Sequence, residues 1–387
     1  MYKHETSVSR RARGAAALLS LLLFCSSFVT AQSPLSSSAT ASLLTCGPGN
    51  DFYTTFGHSA LRICDTARGI DYVYNYGTFD FSTPHFYRKF MRGQLDYCLS
   101  RTTMGRFLTE YAEEGRSVVE QRLNLDPQQT ANLFLLLEQN HMPDYRYYRY
   151  DFFRDNCATR IRDIVALSVG HADTVFASGI PMCSYRRLVG DNLKGSLEWW
   201  HLGIDMLFGL PADHLCTEVE RMFLPFEMQS LYAKTLWRGE GGEPFVTGDG
   251  SRLLDETRSA LPRSFSPLVV FALLFAAVAL LSWKELMPRW GDALLFCLAG
   301  LLGLFLLFMW FGTDHYCTQW NINILWASPL LILIAIRHRR SPRWALWLQL
   351  GCFAVAAVWV VWCGVAPAIL LIVLTLALRV AMLLKER

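Results

Sequence analysis

Hydrophobic positions divide the chain into three unlike parts. An apolar run from Ala15 to Val29 follows a basic N-terminus, and apolar runs recur after Arg263. Between them, residues 32–263 mix charged, polar and aromatic positions and contain no run long enough to cross a bilayer, which needs about 20 apolar residues. The pattern predicts a membrane protein with one large domain outside the hydrocarbon.

The N-terminal run is typical of a secretory signal peptide. Basic residues precede it, and Ala31 and Val29 supply the small or apolar residues that a cleavage site has at positions −1 and −3. We expect residues 1–31 to be the signal peptide, and an uncleaved anchor would give the same topology. The domain that follows is then exported.

The C-terminal part predicts five transmembrane helices, over residues 267–283, 293–312, 322–336, 344–363 and 366–384. Lys and Arg occur in the first and third connections and at the C-terminus, whereas the second and fourth connections contain none. Since basic loops stay in the cytoplasm, the exported domain and the two uncharged connections lie outside. The predicted divisions are a periplasmic domain (32–237), a flexible glycine-rich linker (238–263) and a membrane domain (264–387).

Composition argues against two classes of function. The 36 Lys and Arg exceed the 33 Asp and Glu by only three, a net charge too small for a nucleic acid to be the main partner. The 11 cysteines form no CxxC or paired Cys/His pattern of the kind that binds zinc. We therefore expect no metal, no cofactor and no nucleic-acid partner.

The segment around Cys157 has the features of a nucleophilic cysteine. Asp155 or Asn156 is a good N-cap, and the apolar spacing that follows predicts a helix with Cys157 in its first turn. Unpaired N–H groups and the helix dipole there favour a thiolate, and the same groups can stabilise an oxyanion, so Asn156 is a candidate for the oxyanion site or for the helix cap. Arg160 adds positive potential and is a candidate for substrate binding. The alternative is a small buried cysteine that packs a helix against a sheet.

A nucleophilic cysteine needs an imidazole to take its proton, and His58 is the candidate. Residues 56–64 and 70–81 are rich in aromatic and β-branched side chains and predict a hairpin with His58 near one end. In that hairpin Asn75 lies about opposite His58 and would orient its ring. The alternatives for this role are Asp71, Tyr74 and Tyr76.

Three segments carry a resemblance to a known family. They are Phe56–Arg62 (FGHSALR), Tyr74–Phe81 (YNYGTFDF) and Asp155–Asp163 (DNCATRIRD). The order of histidine strand, polar strand and cysteine helix is similar to the circularly permuted papain-like fold of lecithin:retinol acyltransferase and its relatives. More closely, the segments resemble the Bacteroidota envelope proteins identified as lipoprotein N-acyltransferases.

The resemblance implies an α+β permuted papain-like exported domain followed by an all-α five-helix membrane domain, held in the bacterial inner membrane with the catalytic domain in the periplasm. It also implies a phospholipid as acyl donor, a thioester on Cys157, and the α-amine of a diacylated lipoprotein as acceptor, with His58 as general base and acid. The alternatives are a membrane-anchored cysteine peptidase or amidase, and a non-catalytic envelope assembly protein.

Other segments offer binding residues. The outside connection 313–323 is unusually polar, and its His315, Asn321 and Asn323 are candidates to bind a phosphate headgroup or the substrate amide, or the asparagines simply cap the next helix. Tyr76 is a further binding candidate. Residues 145–150 predict a strand beside the active site, and residues 197–208 predict a helix at the headgroup boundary or in a core.

Overall fold

The computed structural model describes residues 34–51, 54–170, 174–175, 181–193, 197–238, 242–257 and 265–386. The predicted signal peptide lies outside these residues. The exported domain is an α+β unit built on one sheet, and a region of apolar helices follows it in the chain.

Seven strands form the sheet, in the spatial order β6-β4-β3-β2-β1-β5-β9. The strands are β1 (Thr40–Cys46), β2 (His58–Asp65), β3 (Ile70–Thr78), β4 (Asp96–Thr103), β5 (Val118–Leu123), β6 (Tyr147–Arg149) and β9 (Val246–Leu254), and a separate pair is formed by β7 (Thr174–Val175) and β8 (Leu236–Trp237). The predicted hairpin is present, because β2 and β3 pair antiparallel with Leu61 opposite Tyr74. Gly69 closes its turn with a φ of 66°.

Helices cover both faces of the sheet. Those of the exported domain are α1 (Phe86–Met91), α2 (Met104–Glu113), α3 (Pro127–His141), α4 (Cys157–Val169), α5 (Tyr185–Leu193), α6 (Glu198–Leu207), α7 (Glu218–Arg221) and α8 (Pro225–Tyr232). On one face, α3, α4 and α8 share a core with alternate residues of β1 to β3, among them Leu43, Leu61 and Tyr74. On the other face, Phe107 and Tyr111 of α2 cover the intervening residues. Because successive side chains of a strand point to opposite faces of the sheet, the sheet separates these two hydrophobic cores.

Part of the segment predicted as a flexible linker is instead an edge strand. β9 pairs antiparallel with β5, and the pairing is interrupted by register shifts. Gly248 and Gly250 lie within β9 with φ of 73° and 89°, values that glycine adopts without steric cost. The glycines thus permit an irregular strand, and its pairing covers an edge of β5 that would otherwise be exposed.

Apolar helices make up the C-terminal region. They are α9 (Pro267–Trp283), α10 (Arg289–Phe311), α11 (Leu330–Arg337), α12 (Arg343–Cys363) and α13 (Pro367–Lys385). Within the described residues, four stretches are long and apolar enough to cross a membrane: Arg289–Phe311, Tyr316–Arg340, Arg343–Cys363 and Pro367–Lys385. The 17-residue α9 is apolar but shorter. The region therefore has the four to five apolar helices that the hydropathy pattern indicates.

The third predicted span, over residues 322–336, is not one continuous helix. It consists of a 3₁₀ turn at Ile322–Leu325 and the eight-residue α11, separated at Pro329. A Cβ on Gly303 of α10 would lie 1.5 Å from the carbonyl oxygen of Ala327, so the interrupted backbone packs directly against α10. The predicted span lies within Tyr316–Arg340, which is long and apolar enough to cross a membrane, but tertiary packing and proline interrupt its helix.

Candidate active site

Cys157 begins α4, and Asn156 is the N-cap. The Oδ1 atom of Asn156 accepts hydrogen bonds from the N–H groups of Ala158 and Thr159, both at 2.9 Å. Its Nδ2 donates to the carbonyls of Phe152 and Phe223 at 2.9 and 2.8 Å. Both ends of the amide are occupied, so between the two predicted roles of Asn156 the geometry favours the cap.

The thiol of Cys157 is enclosed by backbone donors. Its side chain lies in the core, where the residue is 8% exposed, and the backbone N–H groups of Ser59, Ala158 and Cys157 itself favour the charged form of the thiol. Burial nevertheless raises the pKa of the Cys157 thiol above its ordinary value, since desolvation of the charged form outweighs these donors and the charge of Arg116. In the resting protein Cys157 is therefore a neutral thiol at neutral pH.

His58 and Asn75 lie together at the same end of the sheet. The Nε2 atom of His58 is 3.3 Å from Oδ1 of Asn75. Because an amide oxygen only accepts, Nε2 carries the hydrogen and Nδ1 of a neutral ring is left with a lone pair. Of the other predicted partners, Asp71 pairs with Arg62 and Tyr74 donates to Glu138.

The surroundings of His58 keep its ring neutral. Burial, and then the positive charge of Arg116, lower the pKa of His58 to about 4, although the contact with Asn75 opposes this shift. His58 directly precedes Ser59, whose backbone N–H favours the charged form of the Cys157 thiol. A neutral imidazole and a neutral thiol thus occupy one end of the β2 strand.

Two glycines shape this end of the sheet. Gly57 has a φ of 78°, and a Cβ there would lie 2.6 Å from the carbonyl oxygen of Cys46, so no other residue fits before His58 without a shift. Gly77 has a φ of 89°, beside the irregular pairing of β3 with β4. A Cβ on Gly77 would lie 3.6 Å from Cβ of Cys157, which shows how closely β3 passes the thiol.

Tyr148 is a site residue that sequence reasoning missed. It is 8% exposed, and its hydroxyl is buried with no hydrogen-bond partner in the described part of the chain. That hydroxyl lies 4.0 Å from the position that a Cβ on Gly77 would take, and burial followed by the proximity of Cys157 raises the pKa of Tyr148. An unpaired buried hydroxyl costs about 1–3 kcal/mol, which a substrate atom can recover. The sequence signal that included this residue was the strand predicted beside the active site at residues 145–150.

Arg116 was also missed. Its side chain is 5% exposed, and it donates through Nε to the carbonyl of Gly47 and through Nη1 to Glu114, while Nη2 is buried without a partner among the described residues. Its charge lowers the pKa values of both His58 and Cys157. No local motif marks this arginine, because its proximity to the site depends on the pairing of β1 with β5.

The remaining predicted binding residues have internal partners. Arg160 forms a two-pronged ion pair with Asp155 and stacks 4.0 Å above the ring of Tyr148, and Tyr76 is 2% exposed in the core. His315 contacts the carbonyl of Met91 through Nε2 at 3.1 Å. These contacts fix Arg160 beside Tyr148 and hold His315 against the last residue of α1.

The two asparagines of the outer loop attach it to α6. Asn321 donates to the carbonyls of Met206 and Leu207 at 2.8 and 3.0 Å, and Asn323 donates to that of Asp205 at 2.9 Å. Asn321 also caps the following turn by accepting from the N–H of Asn323. Their amide donors satisfy the last carbonyls of α6, so the geometry favours the capping alternative over headgroup binding.

The pKa shifts predict the pH dependence of any reaction that uses this pair. Because His58 has a pKa near 4, below its ordinary 6.5, the imidazole stays available as a base well below neutral pH. We expect kcat/KM to change little from about pH 8 to about pH 6 and to fall only toward pH 4, measured with an uncharged donor. Stability contributed by the neutral ring is fully present above pH 6.5 and is lost toward pH 4. An acid limb centred at 6.5 would contradict these shifts.

Comparison with known proteins finds two family matches. Residues 27–190 match the Lnb N-terminal periplasmic domain, and residues 257–386 match the Lnb transmembrane domain. Neither a curated protein nor a solved structure matches the chain. The circularly permuted papain-like arrangement therefore stays a prediction. The two matches follow one another along most of the sequence, and the chain belongs to the Lnb lipoprotein N-acyltransferase family, as a multi-pass membrane protein with a periplasmic domain.

Proposed function

We propose that the chain is an inner-membrane lipoprotein N-acyltransferase that moves an acyl group from a phospholipid to the α-amine of a diacylglyceryl cysteine through a Cys157 thioester. The observation that carries the proposal is the thiol at the start of α4, packed against β3 at Gly77, the strand that also supplies Asn75 to His58. Family membership supports acyl transfer as the class of reaction.

The first half-reaction forms the thioester. His58 takes the Cys157 proton at Nδ1 as the sulfur attacks the carbonyl carbon of a phospholipid ester, because both groups are neutral beforehand. The carbon–oxygen bond to glycerol then breaks, and His58 returns the proton to the departing lysophospholipid oxygen. Asn75 keeps Nε2 protonated throughout and fixes the orientation of the ring.

The second half-reaction transfers the acyl group. The lipoprotein α-amine attacks the thioester carbon and gives a proton to His58, the carbon–sulfur bond breaks, and the proton returns to the thiolate. The product is an amide and a regenerated thiol. The low exposure of Cys157 limits access of water, which would otherwise hydrolyse the intermediate.

Tyr148 is the proposed donor to the oxyanion, since Asn156 already accepts from the N–H groups of Ala158 and Thr159 at the start of α4. The otherwise unpaired hydroxyl of Tyr148 would gain its partner only when a substrate oxygen carries charge. We expect Tyr148→Phe to lower kcat by roughly 10²-fold with a small change in KM, since removal of one such donor costs about that much. The Arg160 stack over the ring needs no hydroxyl and should remain.

Steady-state kinetics of the Tyr148→Phe variant measure this effect, with Tyr72→Phe as the matched control. Tyr72 lies near the start of β3, packs against the same core as Tyr148 of β6, and has Arg101 stacked on its ring. We expect the control to behave as the parent does. A Tyr148→Phe variant within twofold of the parent would exclude the hydroxyl from oxyanion stabilisation.

Reconstitution tests the proposed function. The full chain in phospholipid vesicles is incubated with a diacylglyceryl-cysteine lipopeptide, and the lipopeptide mass is measured. The proposal requires a mass increase of one acyl group as an amide, with lysophospholipid formed in equal amount. Cleavage of the lipopeptide would instead indicate a peptidase, and an unchanged mass under conditions where the protein is folded would contradict the transferase.

A further inference from the structure

A row of aromatic rings runs from the thiol to the surface. Ring centroids are 4.5 Å apart between Tyr150 and Tyr97, 5.4 Å between Tyr97 and Phe79, and 5.1 Å between Phe79 and Phe81. Its inner end is at the nucleophile, because the ring of Tyr150 lies 3.9 Å from the position of a Gly77 Cβ, close to Cys157. The row thus connects the reacting sulfur to the segment that precedes α1.

The outer end of the row is an exposed apolar surface. Its members are Phe81, Tyr87, Phe90 and Met91, which are 62%, 78%, 37% and 48% exposed. We call these four residues the α1 surface. Phe86 of α1 is buried beneath them, with its ring 4.8 Å from that of Phe81 and 5.4 Å from that of Tyr87. Large exposed side chains gathered in one place mark contact with a partner or a membrane.

Contacts with the membrane region place α1 at the outer end of α10. The N–H of Asp314 donates to the carbonyl of Arg92 at 2.8 Å, and Gln94 donates to the Asp314 carboxylate at 3.1 Å. His315 contacts the carbonyl of Met91. Asp314 and His315 follow α10 directly and belong to the connection that the charge pattern puts outside, so α1 lies at the level of the outer headgroups.

The charges on α1 suit a phospholipid surface. Arg88 and Lys89 lie in α1 between aromatic residues and Arg92 follows its last residue, so one short segment presents both cations and rings. Cations attract phosphate, and aromatic side chains favour the boundary between headgroups and hydrocarbon. An apolar protein surface would be a weaker match, because it would leave these cations unpaired.

We propose that the α1 surface lies in the outer leaflet and admits the donor phospholipid, whose acyl chain passes along Phe81, Phe79, Tyr97 and Tyr150 to Cys157. The cations of α1 hold the phosphate at the headgroup level. Each methylene that leaves water along the aromatic row adds to the favourable free energy of binding, which favours a long chain over a short one. The assignment of the ligand as acyl donor rests on the proposed function, whereas lipid contact at the α1 surface does not.

Photocrosslinking tests the lipid contact. Tyr87 is replaced by p-benzoylphenylalanine in the full chain carrying Cys157→Ala, and the protein is irradiated in phosphatidylethanolamine–phosphatidylglycerol vesicles. The matched control places the same group at Ala67, exposed in the β2–β3 turn at the other end of the sheet. We expect phospholipid adducts at position 87 at least about tenfold above those at position 67, the ratio for 1.4 kcal/mol of preference. Equal yields would overturn the proposal.

Donor kinetics test the path to the thiol. The double variant Phe81→Asp, Tyr87→Asp changes only exposed side chains, so the fold should be retained. We expect thioester formation from vesicle phospholipid to fall at least about tenfold, and formation from water-soluble p-nitrophenyl acetate to stay within twofold of the parent. Equal loss with both donors, or no loss with either, would overturn the path. A parent that crosslinks to lipid but acylates no lipopeptide would contradict the proposed function and leave the lipid contact standing.

Discussion

Replacing Cys157 by alanine is expected to lower N-acylation of a diacylated lipopeptide by at least about 10³-fold, because Cys157 supplies the sulfur that attacks the donor ester in the proposed mechanism. The substitution removes one sulfur from the first turn of α4. Asn156 accepts from the backbone of Ala158 and Thr159, so the cap does not depend on the thiol. The measurement is the initial rate of amide formation by the full chain in phospholipid vesicles.

Cys64→Ala is the matched control for this loss. Cys64 lies near the far end of β2 from His58, opposite Thr40 of β1, and is partly buried. We expect the control to keep the parent rate within about twofold, since it touches no group of the site. Amide formation that continues at the parent rate in Cys157→Ala would exclude a thioester mechanism.

The second large effect is expected from His58→Gln, which should lower the rate of thioester formation by about 10²–10⁴-fold. Glutamine can still contact Asn75 but has no group that takes a proton from a thiol at neutral pH. Because burial raises the pKa of Cys157, few of the thiols ionise without a base. The rate of the variant should therefore increase steadily with pH, whereas the parent rate should be nearly flat near neutrality.

His141→Gln provides the comparison for His58→Gln. His141 lies in the last turn of α3 and is not part of the site. It should leave both the rate and the pH profile unchanged. A His58→Gln variant that reacts at the parent rate, or whose rate is low but independent of pH, would remove His58 from the role of base.

Features set by neighbouring residues could be predicted from the sequence. The β2–β3 hairpin follows from alternating apolar positions around a turn. With Leu61 opposite Tyr74, its register places Asn75 two residues away from the position opposite His58, and the two side chains meet diagonally at 3.3 Å. The start of α4 at Cys157 follows from Asn156, whose side chain satisfies the first N–H groups of the helix. These are local signals, and each is legible within about 20 residues of chain.

Features set by distant residues could not be predicted. Arg116 is held near the site by its hydrogen bond to the carbonyl of Gly47, which is distant in sequence. The hydroxyl of Tyr148 has no partner among the described residues, a consequence of how β6 and α4 pack. The third membrane segment is interrupted at Pro329, where the backbone packs against Gly303 of α10, and its asparagines Asn321 and Asn323 bind carbonyls of α6, more than 100 residues earlier. β9 was misassigned because its glycines indicate a linker when read without β5.

Peptide mass spectrometry of Cys157 after incubation of the full chain with phospholipid alone tests the central claim most directly. Without an acceptor amine the covalent intermediate should accumulate. We expect the peptide containing Cys157 to gain the mass of one acyl group, and to lose it on addition of hydroxylamine or of the diacylated lipopeptide. A protein that acylates the lipopeptide while this peptide never carries an acyl group would contradict the thioester on Cys157.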